Sequence, residues 1–493
     1  MIRRLTADDY YPRWAIVFGA ALLGLLLMWH EPYWYDEAFT ALVARLPLAD
    51  LLRATAQDVH PPLHYLIMSL LVRIQPDELG TRLWSVACQV AALATLMRLL
   101  TLLKIPTRAH LPILALVAFL PVELIYATEG RMYAQLQLLV LLQVMAVLER
   151  RWWLLGLTTT LALYTHNYAV FYSLVIGLVA LMIELRTTCY NILPAKYMHL
   201  GFQGFNPQQS RFRWILLALG IPILLWLPWV IYGVIPQARL AASGHHWIQP
   251  LTIGQALYAL FLITQTSAFP KFLCLVLAVI LAFGLIVTAR AAWRSKQITL
   301  LALAFGPWLL AALASLITPL LLYRGLLPSI PFIAILIVCA IQQARGWGRA
   351  AGIALLLISV GISLGTIISD ATGATREDSL NVHTPVAPGL MVHLDDSTLV
   401  TFGAYPQPGV SQVMLTGGCP ENLGSLRPVV RQAMHLPEID VADLPASYTL
   451  VAWIGPLSTA CHQDLYNQLI VGSQVIARSD TAFGTGGIYA ISR

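Results

Sequence analysis

Charge is scarce in this chain: Asp, Glu, Lys and Arg make up only 11% of its 493 residues, against roughly 25% in ordinary soluble domains. With 58% of residues hydrophobic and a mean hydropathy of +0.71, there are too few polar side chains to cover a water-facing surface. A soluble protein is excluded, and bilayer must cover the remainder. Cysteine is sparse too, and none of the six stands at metal-ligand spacing. No Ser/His/Asp or Cys/His arrangement offers a protein nucleophile, and there is no internal repeat or low-complexity tract. A small-residue cleavage site is also missing. The basic stretch Met1–Arg13 and the apolar run Trp14–Trp29 begin like a signal peptide. The run leads instead into Glu31-Pro32-Tyr33-Trp34-Tyr35-Asp36-Glu37, so it reads as an uncleaved first helix. The net charge of +6 does not point to nucleic acid, because the basic residues fall in short clusters between apolar runs. That is the signature of membrane orientation.

A spanning helix needs about 20 mostly apolar residues. Eleven segments are candidates: 14–30, 80–103, 110–127, 132–149, 152–169, 170–186, 214–233, 271–292, 298–322, 327–343 and 350–369. With the N-terminus inside, every inner segment is basic: Arg3/Arg4/Arg13, Lys104/Arg108, Arg150/Arg151, Arg186/Lys196/Arg211/Arg213, Arg290/Arg294/Lys296 and Arg345/Arg349. This satisfies the positive-inside bias, and an odd number of spans puts the C-terminus outside. The expected fold class is an α-helical polytopic membrane protein with a small C-terminal α+β extracytoplasmic domain. Residues 1–369 form the membrane domain and 370–493 the exported one.

The outer loop 31–79 is more than a connection. Phe39, Leu42, Val43 and Leu46 recur at helical spacing, and Leu63–Ile74 is apolar but too short to span. Both suit helices lying at the membrane surface. A second outer loop, 234–254, contains His245, His246 and Trp247; adjacent loop histidines are more often solvated than ligating. Beyond Asp370 the composition becomes mixed and punctuated by Gly and Pro, and Leu399–Phe402, Tyr448–Trp453 and Ile488–Ile491 read as strands. Cys88, Cys274 and Cys339 lie in spans and Cys189 in an inner loop. Cys419 and Cys461 both fall in the exported region, where oxidising conditions permit a disulfide. Closing that loop would stabilise the domain by roughly 4 kcal/mol; the alternative is two buried thiols.

Polar residues gather in four places. The first outer loop carries Tyr35-Asp36-Glu37-Ala38-Phe39-Thr40 and Asp58-Val59-His60-Pro61-Pro62-Leu63-His64-Tyr65. Taken alone, the acids only open a helix, where they favour its dipole, and the prolines only begin the next one. Tyr126-Ala127-Thr128-Glu129-Gly130-Arg131-Met132-Tyr133-Ala134 forms a tight outer turn in which Glu and Arg could simply pair. Tyr164-Thr165-His166-Asn167-Tyr168 and Tyr323-Arg324-Gly325-Leu326-Leu327-Pro328 end two further spans, and a lone arginine there could merely snorkel. The expected topology nevertheless puts all four on one side of the membrane at one depth. Arginines there suit a lipid-borne phosphate, which they grip through paired hydrogen bonds. A carboxylate beside them can take a proton from an acceptor hydroxyl.

These segments, in this order and with Arg82-Leu83-Trp84-Ser85, resemble bacterial family-39-type glycosyltransferases of the GT-C superfamily. Protein O-mannosyltransferases and the lipid A aminoarabinose transferase are relatives, and the resemblance covers roughly residues 14–345. It implies transfer of a sugar from a polyprenyl-phosphate carrier to a lipid, glycan or protein acceptor, with inversion, on the extracytoplasmic side of a bacterial-type inner membrane. Asp36 matches the acid that activates the acceptor, Glu37 its orienting partner and Glu129 a second acid at the cavity. His60, Arg131 and Arg324 match positions suited to the donor phosphate. His64, Tyr65, Tyr133, His166 and Tyr323 are expected to line the cavity. No cofactor is expected. Asp36, Glu37, Asp58 and Glu129 offer oxygen ligands for a divalent ion, but the relatives do without one.

The chain departs from the pattern at Gly325, where relatives carry an aromatic residue directly after the arginine; here Tyr323 precedes it. Glu123, inside the third span, is an intramembrane acid and so a candidate cavity residue. A transporter or lipid flippase is the alternative reading, but transporters show paired repeats and midplane polar groups, whereas this chain keeps its polar residues at one interface. A membrane scaffold presenting residues 370–493 would leave the outer-loop acids and arginines without a role.

Overall fold

The computed structural model describes residues 7–28, 32–192, 212–242, 251–262, 297–344, 346, 349, 353, 382–417, 419, 428–454, 460–481 and 484–492. The expected span 271–292, all of the expected span 350–369 but residue 353, Cys274, His245, His246 and Trp247 lie outside the described residues. The chain divides into two compact units, residues 1–28 with 82–368 and residues 29–81 with 369–493. Helices α1 (Ala7–Leu27), α2 (Tyr35–Arg45), α3 (Leu48–Gln57), α4 (Leu63–Ile74) and α5 (Glu78–Leu102) open the chain. They are succeeded by α6 (Thr107–Phe119), α7 (Pro121–Thr128), α8 (Tyr133–Leu148), α9 (Trp152–Thr165) and α10 (Ala169–Ile192). Next, α11 (Phe212–Trp229) runs through a π-helical turn at Val230–Val234 into α12 (Ile235–Ala242). After α13 (Ile253–Leu262) and α14 (Ile298–Ser315), a 3-10 segment at Tyr323–Ser329 leads into α15 (Ile330–Gln343).

Among the described residues four stretches are long and apolar enough to cross a bilayer: Glu78–Leu102, Phe212–Arg239, Ile298–Ser315 and Tyr323–Gln343. The pair α6–α7, bent by 55°, makes a fifth if it is one broken span. Among the described residues the count of eleven is therefore not confirmed. Helices α8 and α9 have 16 and 14 residues; at 1.5 Å per residue they rise about 24 and 21 Å, short of a hydrocarbon core of about 30 Å. The bend before α7 arises from Pro121 at its first turn. Its ring carries no N–H to continue the α6 ladder.

In the helical unit α6 packs on α1 and α15, and α8 on α9. Leu93, Leu96, Leu99 and Leu100 of α5, Ile113 and Leu114 of α6, and Phe332 and Ile335 of α15 are buried between them. Leu216, Leu217, Ile221 and Leu224 of α11 and Leu309 and Leu313 of α14 remain exposed, an apolar rind that suits lipid rather than water.

The second unit combines the 29–81 loop with the C-terminal region. Its elements beyond residue 382 are β1 (Gly389–His393), α16 (Asp396–Gly403), β2 (Val410–Thr416), α17 (Pro428–Ala433), β3 (Glu438–Asp440), β4 (Ser447–Ile454), α18 (Ala460–Leu469), β5 (Gln474–Thr481) and β6 (Gly484–Ser492). The six strands form one sheet in the order β3-β2-β1-β4-β6-β5. Strands β3, β2, β1 and β4 are parallel, and β6 runs antiparallel to both β4 and β5. Val392, Leu394, Met414, Leu415, Leu450, Tyr466 and Tyr489 share its core. Cys419 and Cys461 are joined by a disulfide with Cα atoms 5.9 Å apart.

The segments 448–453 and 488–491 are strands, but Leu399–Phe402, expected as a strand, lies inside helix α16. The Asp395 side chain accepts from the Thr398 backbone N–H at 2.8 Å, and this N-cap overrides the strand propensity of four apolar residues. Nor does the 31–79 loop stand apart from the C-terminal region as the sequence division implied. Helix α2 packs on α4 and α16, and α3 on α17. The Tyr33 backbone N–H donates to the Tyr405 hydroxyl at 2.6 Å, Tyr405 donates to the Glu78 carboxylate, and His435 meets Asp50 at 3.1 Å.

Candidate functional site

Within the helical unit the expected residues of three separate segments come together around Tyr126. This residue sits at the end of α7, just before the Glu129-Gly130-Arg131 turn that α8 continues. Its hydroxyl donates to the Tyr323 hydroxyl at 3.0 Å, and its ring meets that of Tyr133 edge-on at 4.8 Å. The Arg324 guanidinium and the Glu129 carboxylate both act electrostatically on the Tyr126 hydroxyl, as do Tyr323 and Tyr133. Arg131 acts in the same way on His166, whose ring lies 5.8 Å from that of Tyr133. Glu129, Arg131, Tyr133 and His166 are all buried, at 5%, 4%, 3% and 7% exposure. Acids and cations held this far from water interact more strongly than exposed ones.

Local chemistry explains why the turn holds its shape. Ser85 Oγ donates to the Arg131 carbonyl at 3.2 Å, and Trp84 Nε1 donates to Gln135 Oε1 at 2.9 Å. Gln135 Nε2 in turn donates to Thr165 Oγ1 at 2.8 Å, tying α8 to the end of α9. Arg82 Nη1 donates to the Met28 carbonyl at 3.0 Å. The Arg82-Leu83-Trp84-Ser85 motif is thus a brace for the turn. Glu123 underpins it from below: Gln137 Nε2 donates to one carboxylate oxygen at 2.7 Å and Gln89 Nε2 to the other at 3.0 Å.

Sequence reasoning gave no role to Tyr168, which locks the 3-10 segment. Its hydroxyl donates to the Leu320 carbonyl and accepts from the Leu322 N–H, each at 2.6 Å. Its backbone N–H donates to His166 Nδ1 at 3.0 Å, so the ring carries its proton on Nε2. A Cβ at Gly325 would stand 2.5 Å from the Tyr168 ring. The departure from the family pattern has this physical cause: an aromatic ring from another segment fills the space beside Arg324. The only advance signal was the position of Tyr168 two residues beyond His166.

The remaining expected residues belong to the second unit. Asp36 and Glu37 occupy the first turn of α2, where the partly buried Asp36 contrasts with Glu37 at 1% exposure. Thr40 Oγ1 donates back to the Asp36 carbonyl at 2.9 Å. His60 precedes Pro61-Pro62, and α4 starts at Leu63 with Pro62 as its N-cap. His64 and Tyr65 are fully buried, and Tyr65 packs edge-on against Phe39 of α2 at 6.2 Å. Among the described residues no three His, Cys, Asp or Glu side chains are grouped so as to hold a metal ion.

No protein-family model and no curated protein matches the sequence. Solved structures do. ArnT from Cupriavidus metallidurans bound to undecaprenyl phosphate superposes with a TM-score of 0.54 at 15% identity, over 98% of this chain and 98% of that one. The apo state of the same protein gives 0.57 at 14% identity over 97% of each. The chain has the ArnT fold. ArnT is the lipid A aminoarabinose transferase, a GT-C glycosyltransferase, so the resemblance read from the motifs holds at the level of architecture. The ArnT fold spans nearly the whole chain, C-terminal sheet region included, which the motif resemblance over 14–345 did not reach.

Proposed function

We propose that the chain is a multi-pass inner-membrane glycosyltransferase that takes its sugar from a polyprenyl-phosphate donor and passes it, with inversion, to an acceptor on the extracytoplasmic side. The observation carrying this reading is the gathering of buried Glu129, Arg131, Tyr133 and His166 with the partly buried Tyr323 and Arg324 near Tyr126. ArnT, which shares the fold, has been solved with undecaprenyl phosphate bound. When a sugar leaves a phosphate carrier, negative charge grows on the departing phosphate. Fixed cations aimed at that charge lower the barrier without reorganising during the reaction. Arg131 and Arg324 supply them in this reading, with His60 as a third donor. Asp36 removes the acceptor proton as general base, Glu37 orients it, and Glu129 fixes the arginines. His64, Tyr65, Tyr133, His166 and Tyr323 shape the cavity. No protein nucleophile is needed, in keeping with inversion.

The test is transfer of labelled sugar from polyprenyl phosphate in membranes containing the full-length chain. Asp36→Asn is expected to lower transfer by at least about 100-fold, the usual contribution of a general base. Arg131→Gln should cost about 100- to 1,000-fold, as for a lost oxyanion donor. Unchanged transfer in a folded Asp36→Asn protein refutes the base; unchanged transfer in Arg131→Gln refutes the phosphate site.

A further inference from the structure

A cavity of about 400 Å³ opens where the α5–α6 turn, the start of α14 and the end of α15 meet. Lys104, Arg108, Gln297, Thr299, Gln342 and Gln343 line its polar part, and among the described residues no acidic side chain borders it. It lies at the far end of the helices from the Tyr126 cluster. Arg324 lies in the first turn of the 3-10 segment that leads into α15, whereas Gln342 and Gln343 end α15, about 30 Å away at helical rise. Arg108 Nε donates to Gln342 Oε1 at 3.2 Å, which holds the guanidinium at the rim. Among the described residues neither Lys104 nor Arg108 makes an ion pair, while the neighbouring basic turn neutralises itself: Arg150 with Glu184 and Arg151 with Glu149. Lys104 also closes α5 with a φ of 56°, a conformation that glycine adopts at lower cost. An ammonium is thus placed at a position whose backbone favours no side chain at all.

We propose that this cavity is a phosphate site that takes the headgroup of an anionic phospholipid, independent of the transfer reaction. Two cations without acidic neighbours, backed by amide and hydroxyl donors, match a phosphodiester in charge and hydrogen bonding. A lipid is favoured over free phosphate because apolar side chains flank the opening. Ile298 beside Gln297 and Leu111 one turn from Arg108 are each 40% exposed, a surface along which an acyl chain can lie. In the orientation expected from the sequence this end faces the cytoplasm, where basic pockets between helices hold anionic headgroups.

The experiment is native mass spectrometry of the full-length protein released from detergent micelles supplemented with phosphatidylglycerol or phosphatidylcholine. Wild type should retain phosphatidylglycerol selectively. Lys104→Gly and Arg108→Gln should each weaken that retention about fivefold, the effect of one basic residue near an anionic surface. Lys104→Gly suits its backbone, so its melting temperature should stay at the wild-type value. Arg213→Gln, an exposed cation stacked over Trp214 at 5.2 Å, should leave retention unchanged. Equal retention of both lipids by wild type, or an equal loss in Arg213→Gln, overturns the site. Stabilisation by inorganic phosphate alone, abolished by Lys104→Gly, overturns the assignment to a lipid.

Discussion

At position 325 a single hydrogen decides whether the 3-10 segment can close on Tyr168. Gly325→Ala forces a methyl to 2.5 Å from that ring and is expected to cost about 1–3 kcal/mol, as overpacking does. The double variant Gly325→Ala/Tyr168→Ala should recover part of it, and a thermal melt in detergent compares the two. Glu123 makes a second test. Glu123→Leu leaves the amides of Gln89 and Gln137 facing an apolar side chain, so it should destabilise by about 2 kcal/mol or more. Glu123→Gln, which keeps an acceptor, should cost less; equal losses would mean that the hydrogen bonds to Glu123 contribute little. Side chains of this kind were legible in part. Glu129, Arg131, His166 and Arg324 announced themselves as polar residues in apolar surroundings, while Tyr126 and Tyr168 look in the sequence like ordinary interfacial tyrosines. Only the packing of α7 against α8 and the folding back of residues 320–325 give them partners.

Among elements, the strand β1 carries a buried histidine. His393 is fully buried with Nε2 at 3.1 Å from Gln412 Oε1, and burial pushes its pKa down to about 3 against the one opposing hydrogen bond. The unfolded chain titrates near 6.5, so between these values it binds the proton that the folded one refuses. The stabilisation is complete above about pH 6.5 and is lost as pH falls toward 3. Asp395 opposes this: burial raises its carboxyl above the usual range, so its folded form is favoured on the acid side. Melting temperatures from about pH 7 down to about pH 4 should fall less steeply in His393→Asn than in wild type; an unchanged slope would remove His393 as the cause. At this scale the sequence was informative wherever one signal dominated. The helical spacing in 39–46 and the apolar runs of α5 and α15 announced those elements. The segment 399–402 read wrongly because four apolar residues look like a strand until the cap at Asp395 is counted. The short helices α8 and α9 show why eleven spans could not simply be counted: apolar composition sets what lipid will accept, but helix length also has to reach across.

For the whole molecule the sequence predicted a membrane protein with a helical part and a C-terminal α+β part, and the ArnT fold spans both. The sequence did not reveal the grouping of residues 29–81 with 369–493, because that rests on contacts between segments over 300 residues apart, such as Tyr33 with Tyr405 and Asp50 with His435. If the C-terminal region is exported, as the sequence implies, Cys419 and Cys461 should resist alkylation in intact cells until a reductant is added; free thiols in a non-reducing assay would count against export. A stop codon after residue 369 would look like the removal of an accessory module from a finished machine. It would instead strip α2 and α3 of the surfaces they rest on. The missing quarter of the chain would take with it the footing of Asp36, the carboxylate proposed as the base.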